Sequence, residues 1–283
     1  MEDAPYGRAL TLEPGIRRVL ARNPSAFTHT GTQSFIVGVG EVAVIDPGPD
    51  LPEHINALLA ATAGERIVAI VCTHTHRDHS PATRALKAAT GAPIVGCAPL
   101  AGGEGAEAGF DTDYAPDRVL ADGETLDGPG WALQALATPG HTSNHLCFAL
   151  AETGVLFSGD HVMGWSTSVV SPPDGDMTAY MASLETLLAR DDDRVYYPAH
   201  GEQVDNPQRL VRAMLGHRKQ REGQIMRLLG EGPFTVPALV DRMYVGLDPR
   251  LGPAAGRSVL AHLIDLDRRG LIVRDGEVWR RAA

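Results

Sequence analysis

Three cysteines in 283 residues, Cys72, Cys97 and Cys147, are too few and too far apart to staple a fold. Their number is odd, none belongs to a Cys-x-x-Cys pair, and each sits in an apolar run. A disulfide framework and a cysteine-ligated metal are therefore both excluded, and the thiols read as buried groups in a reducing cytoplasm. No apolar run approaches the roughly 20 residues that cross a bilayer, so no membrane segment is expected. The start, Met1-Glu2-Asp3-Ala4-Pro5, lacks the basic residues and apolar stretch of a secretory signal. Positive charge is scarce over most of the chain. Residues 1–216 hold 13 Lys/Arg against 27 Asp/Glu, a balance of −14, whereas residues 217–283 hold 12 against 8. An acidic body argues against broad electrostatic capture of nucleic acid, and the basic end leaves only a local contact open.

The composition that is present, 43% apolar and 21% charged, suits a globular protein with a sizeable core, at a length for one large domain plus an appendage. Ser34–Val37 and Val42–Ile45 read as a hairpin that ends at Asp46-Pro47-Gly48-Pro49. Asp50 is placed to cap a helix over 51–63, with Pro52 in its first turn. A strand over 67–72 follows, then a helix from Ser80-Pro81 to Gly91. The glycine-rich, acidic stretch 101–117 reads as a loop. Strands are expected at 131–137, 145–150, 155–158 and 195–197, and an amphipathic helix at 178–190. A long helix from Asn206-Pro207 to Leu229, short helices at 235–245 and 254–269 and a hairpin turning at Asp275-Gly276 form a winged-helix pattern. The domain boundary is expected near 217, giving domains of 1–216 and 217–283.

The chemistry concentrates in Thr73-His74-Thr75-His76-Arg77-Asp78-His79. In an extended segment residues two apart share a face, so His74, His76 and Asp78 converge as the chain leaves the strand, and His79 follows at the bend. Crowding neutral imidazoles against a carboxylate is costly unless a divalent cation compensates, and zinc takes both as ligands. Three further strand ends carry such groups: His141 in Thr138-Pro139-Gly140-His141, Asp160 in Ser158-Gly159-Asp160, and His200 in Pro198-Ala199-His200-Gly201. Flanking glycines and prolines bend the backbone sharply there. Asp46 also ends a strand, where it can orient an imidazole or cap a turn.

The series His-x-His-x-Asp-His, then Gly-His, then Gly-Asp, then His-Gly resembles the metallo-β-lactamase superfamily over residues 16–216. The resemblance implies an α/β fold, an αββα sandwich, followed here by the small winged helix. It implies that His74, His76 and His141 hold one divalent metal ion and that Asp78, His79 and His200 hold a second. Asp160 would bridge the two, with Asp78 and Asp160 as the catalytic carboxylates. Zinc is the metal expected first, with manganese or iron as alternatives because His/Asp sites accept all three. Asn23–Thr32 and His217–Ile225 resemble the β-lactamase-like protein 2 group, with Gln33-Ser34-Phe35 and Ala199 as departures from its pattern. Tyr180 and Ser183 lie on the helix that the resemblance puts near the cleft, so Tyr180 is a candidate substrate contact. His145 and His161 flank ligands and are read as supporting residues.

Ester or thioester hydrolysis is the activity expected, with single-strand endoribonuclease action as the alternative. Arg257, Arg268 and Arg269 on the presumed recognition helix are offset by Asp265 and Asp267, so that face is no continuous phosphate-binding stripe. A small-molecule substrate is expected ahead of RNA, and the winged helix is expected to cover the cleft or to form a homodimer. A redox role is disfavoured because His76 is retained and no flavin domain is fused.

Overall fold

In the computed structural model, which describes residues 4–100, 109–246, 248 and 251–282, the chain divides into two compact units. The first takes in Met1–Thr138, Asn144–Thr167 and Asp192–Pro207, and the second Pro139–Ser143, Ser168–Asp191 and Gln208–Ala283. Part of the 101–117 loop, residues 101–108, lies outside the described residues.

Two sheets build the first unit. Strands β1 (Ala9–Glu13), β2 (Ile16–Leu20), β3 (Gln33–Val39), β4 (Glu41–Ile45), β5 (Arg66–Cys72), β6 (Ile94–Gly96) and β7 (Arg118–Val119) form one, in that order. The other comprises β8 (Thr125–Gly128), β9 (Trp131–Ala137), β10 (Leu146–Leu150), β11 (Val155–Gly159) and β12 (Val195–Pro198), also in chain order. Their inward residues share one core, in which the Phe35 ring meets Phe157 at 5.1 Å and Tyr197 at 5.8 Å. Each fully buried aliphatic or aromatic side chain there contributes about 1.5–3 kcal/mol over exposure. Helices α1 (Pro52–Ala61) and α2 (Ala82–Thr90) lie against β2 and β5. Asp50 does not cap α1. The cap position is Leu51, with no side-chain hydrogen bond, and Pro52 follows without an N–H, which leaves one donor fewer to satisfy.

Register sets the site. Parallel pairing of Ile45 with Val71 brings Asp46 beside the end of β5, and its amide donates to Val71 O at 2.8 Å. Parallel pairing of Gly159 with Pro198 brings Asp160 beside His200. The Leu146 amide donates to Thr73 O at 2.8 Å, tying the end of β5 to the start of β10. Strands β6, β7 and β8 escape a reading from periodicity, because two to four residues are too few to show alternation.

In the second unit, α3 (Met177–Leu188) starts at Asp176, whose carboxylate accepts from the Ala179 amide. Helix α4 (Pro207–Leu229) runs unbroken through Gly216 and Gly223, and position 217 lies inside it. Both glycines are exposed, while Val211, Met214, Leu215, Arg218, Ile225 and Leu229 form the buried stripe that holds the helix. Helices α5 (Val236–Met243) and α6 (Gly252–Arg268) and strands β13 (Phe234–Thr235), β14 (Ile272–Asp275) and β15 (Val278–Arg281) complete a winged helix. Its sheet has three strands, because short β13 pairs with β15. Ile225, Leu229, Leu239, Leu263, Leu266 and Trp279 are among its core residues.

Candidate metal centre

Every site residue follows the end of a strand or stands in the turn after one. His74 to His79 follow β5, His141 follows β9, Asp160 follows β11 and His200 follows β12. Glycine is required where the turns are tightest. A Cβ on Gly140 (φ +137°) would stand 2.3 Å from Tyr180 Cα, and one on Gly159 (φ +51°) would stand 2.6 Å from His145 Nε2.

The structure gathers these side chains in two groups of potential ligand atoms. His74, His76, His141 and Asp160 form one, and Asp78, His79 and His200 the other, with the atoms of each group within 4.8 Å of one another. Asp160 also faces the second group, with Oδ1 3.3 Å from His200 Nε2 and Oδ2 3.7 Å from His79 Nε2. Strand alternation places Asp78 with His74 and His76, and here the structure differs. The chain turns from Arg77 to His79, which breaks the alternation and sends Asp78 to His79 (3.3 Å) and His200 (3.1 Å).

Hydrogen bonds orient the imidazoles. The buried Asp46 carboxylate accepts from the Thr73 amide at 2.8 Å, the Thr73 hydroxyl at 2.7 Å and His79 Nδ1 at 3.0 Å. With its proton given to Asp46, the Thr73 oxygen can accept from His74 Nδ1 at 2.9 Å. Val169 O accepts from His141 Nδ1 at 2.6 Å, and Gly31 O from His200 Nδ1 at 3.2 Å. Four rings therefore carry the proton on Nδ1 and turn Nε2 toward the cluster. His76 is the exception: its Nδ1 lies 2.9 Å from His74 Nε2. Partners that fix a tautomer in this way also raise ligand basicity.

Burial opposes charge on the four groups that meet at the second cluster, but their mutual attraction outweighs it. The imidazoles of His79 and His200 hold Asp78 and Asp160 well below the usual carboxylate range. Asp78 and Asp160 in turn raise His79, and they bring His200 to about 9. The site thus stabilises positive charge against two carboxylates. The buried His79 Nε2, despite those neighbours, makes no hydrogen bond. Nitrogen lone pairs and carboxylate oxygens converging on common points are the donor set of a divalent cation, and the residues present fit one.

Around the cluster the structure assigns supporting contacts. His145 donates from Nδ1 to the Thr138 hydroxyl at 2.8 Å and accepts from the Asp160 amide at 3.2 Å, which fixes the backbone that carries Asp160. His161 is fully buried with its ring 5.9 Å from that of His145. Tyr180 is fully buried as well, its ring covered by the Arg218 guanidinium at 5.1 Å, so it packs rather than lines a surface. Ser183 donates to Pro139 O at 2.8 Å. Gln33 donates to Pro198 O and Gly201 O, bracketing His200 from a position where the sequence showed only a departure from pattern. Phe110 escaped sequence reading entirely. It stacks on His76 at 4.5 Å, held by a backbone bridge between the two residues and by the Asp111 carboxylate, which takes Ser80 and Arg84. No periodic signal marks it, because the sequence before it is rich in glycine and shows no apolar alternation.

Behind Asp46 lies a pH-sensitive support. Ser34 donates to Asp46 O at 2.6 Å, so the contact of its oxygen with His54 Nε2 at 2.8 Å draws a proton from the ring. Burial lowers His54 from its ordinary 6.5 to about 4. Between those values the unfolded chain binds a proton that the folded chain refuses, so stability rises with pH and is lost on acidification through the window. The expected loss is roughly 3 kcal/mol between pH 7 and pH 4. Thermal unfolding across that range reads it, and His54→Gln should reduce the slope by this share; an unchanged slope in the variant would refute this role.

Strand-end histidines and aspartates gathered on two sheets give this α/β fold a donor set that fits divalent cations. The pattern of the metallo-beta-lactamase superfamily matches residues 28–200, and that of the beta-lactamase associated winged helix domain matches residues 235–279. The chain belongs to the metallo-beta-lactamase superfamily. It is 31% identical over 277 residues to the Beta-lactamase-like protein 2 homolog of Drosophila melanogaster, covering 92% of this chain and 90% of that protein. An atrochrysone carboxyl ACP thioesterase of Aspergillus terreus is 30% identical, over 85% of this chain and 75% of its own. The fold is shared with a beta-lactamase domain protein of Burkholderia ambifaria at a TM-score of 0.85 and 19% identity, covering 98% of this chain and 94% of that one. TTHA1623, solved in a di-iron-bound form, superposes at a TM-score of 0.51 with 30% identity, over 71% of this chain and 95% of its own. The resemblance expected from residues 23–32 and 217–225 is thereby borne out. No helix among the described residues is long and apolar enough to cross a membrane.

Proposed function

We propose that the chain hydrolyses a small-molecule thioester or ester at a dinuclear centre in which Asp160 is shared by two divalent ions. The observation that carries this reading is the position of Asp160, grouped with His74, His76 and His141 while its oxygens face His79 and His200. His74, His76, His141 and Asp160 would hold one ion and Asp78, His79 and His200 a second, zinc ahead of manganese or iron, and such ions would supply an acidified water and an electrophile for the carbonyl.

The chain's own residues supply orientation and proton handling. Asp46 and Thr73 hold His79 and His74 in the tautomers that turn the Nε2 lone pair toward the cluster. Asp78 is the most open carboxylate of the cluster, at 28% side-chain exposure, and its Oδ2 faces His79 and His200. Oδ1 is then left to orient the attacking water and accept its proton. The carbon–sulfur or carbon–oxygen bond breaks, the water oxygen joins the acyl carbon, and the proton passes from Asp78 to the departing thiolate or alkoxide.

A thioester is favoured over RNA on two grounds. One relative is named a carboxyl ACP thioesterase and shares 30% identity. In addition, the arginines at the end of α6 are already paired: Arg268 with Asp176, and Arg269 with Glu222 and Asp265. A winged helix reading phosphates would keep them free. Assays of zinc- and manganese-loaded protein on a short-chain acyl thioester, a phosphodiester and single-stranded RNA decide between the readings, with His76→Ala as the blank. Thioester turnover that vanishes in the blank is the expected result. Cleavage of RNA alone would overturn it.

A further inference from the structure

Helix α4 buries a cation that no carboxylate among the described residues neutralises. Arg218 is only 3% exposed, yet no carboxylate among the described residues lies within ion-pair distance of it. Its Nη2 donates to Ser168 O at 2.5 Å, Nη1 reaches the Ser258 hydroxyl at 3.4 Å, and the guanidinium lies over Tyr180. The Nε–H is buried with no partner. Two neighbouring imidazoles share this condition. Arg221 Nε donates to His217 Nε2 at 3.3 Å, so His217 carries its own proton on Nδ1, which is buried and partnerless. His262 of α6 is 3% exposed, and its Nε2 is also buried without a partner.

Buried polar atoms are satisfied almost everywhere in folded proteins, and a cluster of exceptions points to a ligand. Two of these exceptions, Arg218 Nε–H and His217 Nδ1–H, are donors. Burial first, then the charges of Arg218, His217, Arg221 and Arg269, lower His262 to about 3, so the field at this spot is positive and His262 stays neutral. Holding Ser168 O in place requires a single N–H, which an uncharged side chain could supply. A guanidinium without a counter-ion is a costly way to do it, and the cost is offset when an anion binds. His217 and Arg221 are half-buried.

We propose that Arg218, His217 and His262 form a binding site for an oxyanion, either a carboxylate or a phosphate group. The guanidinium offers the charge and an unpartnered Nε–H, and His217 an unpartnered Nδ1–H, donors that suit the oxygens of an anion. The site is adjacent to a metal-ligand support: Arg218 grips Ser168 O, and the next carbonyl, Val169 O, orients His141. Anion binding does not depend on the hydrolytic reading.

Calorimetric titration of the metal-loaded full chain with inorganic phosphate, and separately with butanoate, tests the site. One anion per chain is expected to bind, at least about tenfold more weakly in Arg218→Met and several-fold more weakly in His262→Leu. The binding should persist in His76→Ala, which perturbs the metal cluster alone. Whichever of the two anions binds in this Arg218-dependent way identifies the ligand class. Circular dichroism and metal content show whether each variant folds, and if Arg218→Met does not, His262→Leu decides. Wild-type affinity in the folded variants, loss of all binding in His76→Ala, or binding of neither anion would overturn the proposal.

Discussion

Replacing Asp160 with asparagine should reduce thioester turnover by about 10³-fold or more, since an enzyme metal centre supplies several kcal/mol of transition-state stabilisation. The substitution keeps the shape of the side chain and removes one negative charge from a position that faces both ligand groups. If Asp160 is shared, both groups lose a ligand at once, so bound metal should fall toward one ion or none per chain. A residue serving one group would leave the other ion in place. Elemental analysis and single-turnover assays on the same preparation separate these outcomes, and D160N retaining two ions with turnover within tenfold of wild type would end the dinuclear reading. In the metal-free chain the same change removes the charge that helps to bring His200 to about 9, so its imidazole should titrate closer to the ordinary value. NMR titration of the ring protons reads that shift.

Asp46→Asn is expected to produce the next largest effect, through residues it touches rather than through the reacting atoms. The carboxylate accepts three hydrogen bonds, from the Thr73 amide, the Thr73 hydroxyl and His79 Nδ1. An amide offers one oxygen and presents N–H groups where two of those donors already point. The His79 ring must then rotate or change tautomer, which turns Nε2 from the cluster. Metal affinity or kcat should fall about 10–100-fold, the usual cost of losing such a partner. Stability should fall by about 3 kcal/mol because the donors left behind are buried. Asparagine tolerates the left-handed backbone of this position (φ +46°), so the loss reports the carboxylate and not strain. A variant that binds two ions normally and melts with the wild type would remove Asp46 from this role.

Asp46 also marks how far the site can be read from the chain. As a polar residue ending a strand, it is visible as a candidate, but a turn cap fits that position equally well. Its partners are 27 and 33 residues away, and only the parallel pairing of β4 with β5 brings them within reach. Phe110 is a sharper case. Its stacking on His76 depends on a bridge across 34 positions that no local pattern announces. Gln33 looks like a mild departure from a family pattern, yet it brackets His200 across more than 160 residues.

The amino-acid sequence by itself determined the ligand-type residues, their places at strand ends, the main strands and helices, and the winged helix. All of these follow from short-range rules: alternation in strands, helical spacing, and glycine or proline at sharp turns. Tertiary structure alone decided which nitrogen of each imidazole faces the cluster, because the Nδ1 proton goes to groups distant in the chain. It moved Asp78 from the partners that strand alternation would give it to His79 and His200, because the turn after His76 ends the alternation. It also left Arg218 buried with no counter-charge among the described residues, a fact with no local signature, since burial and ion pairing arise only when α4 and α6 pack.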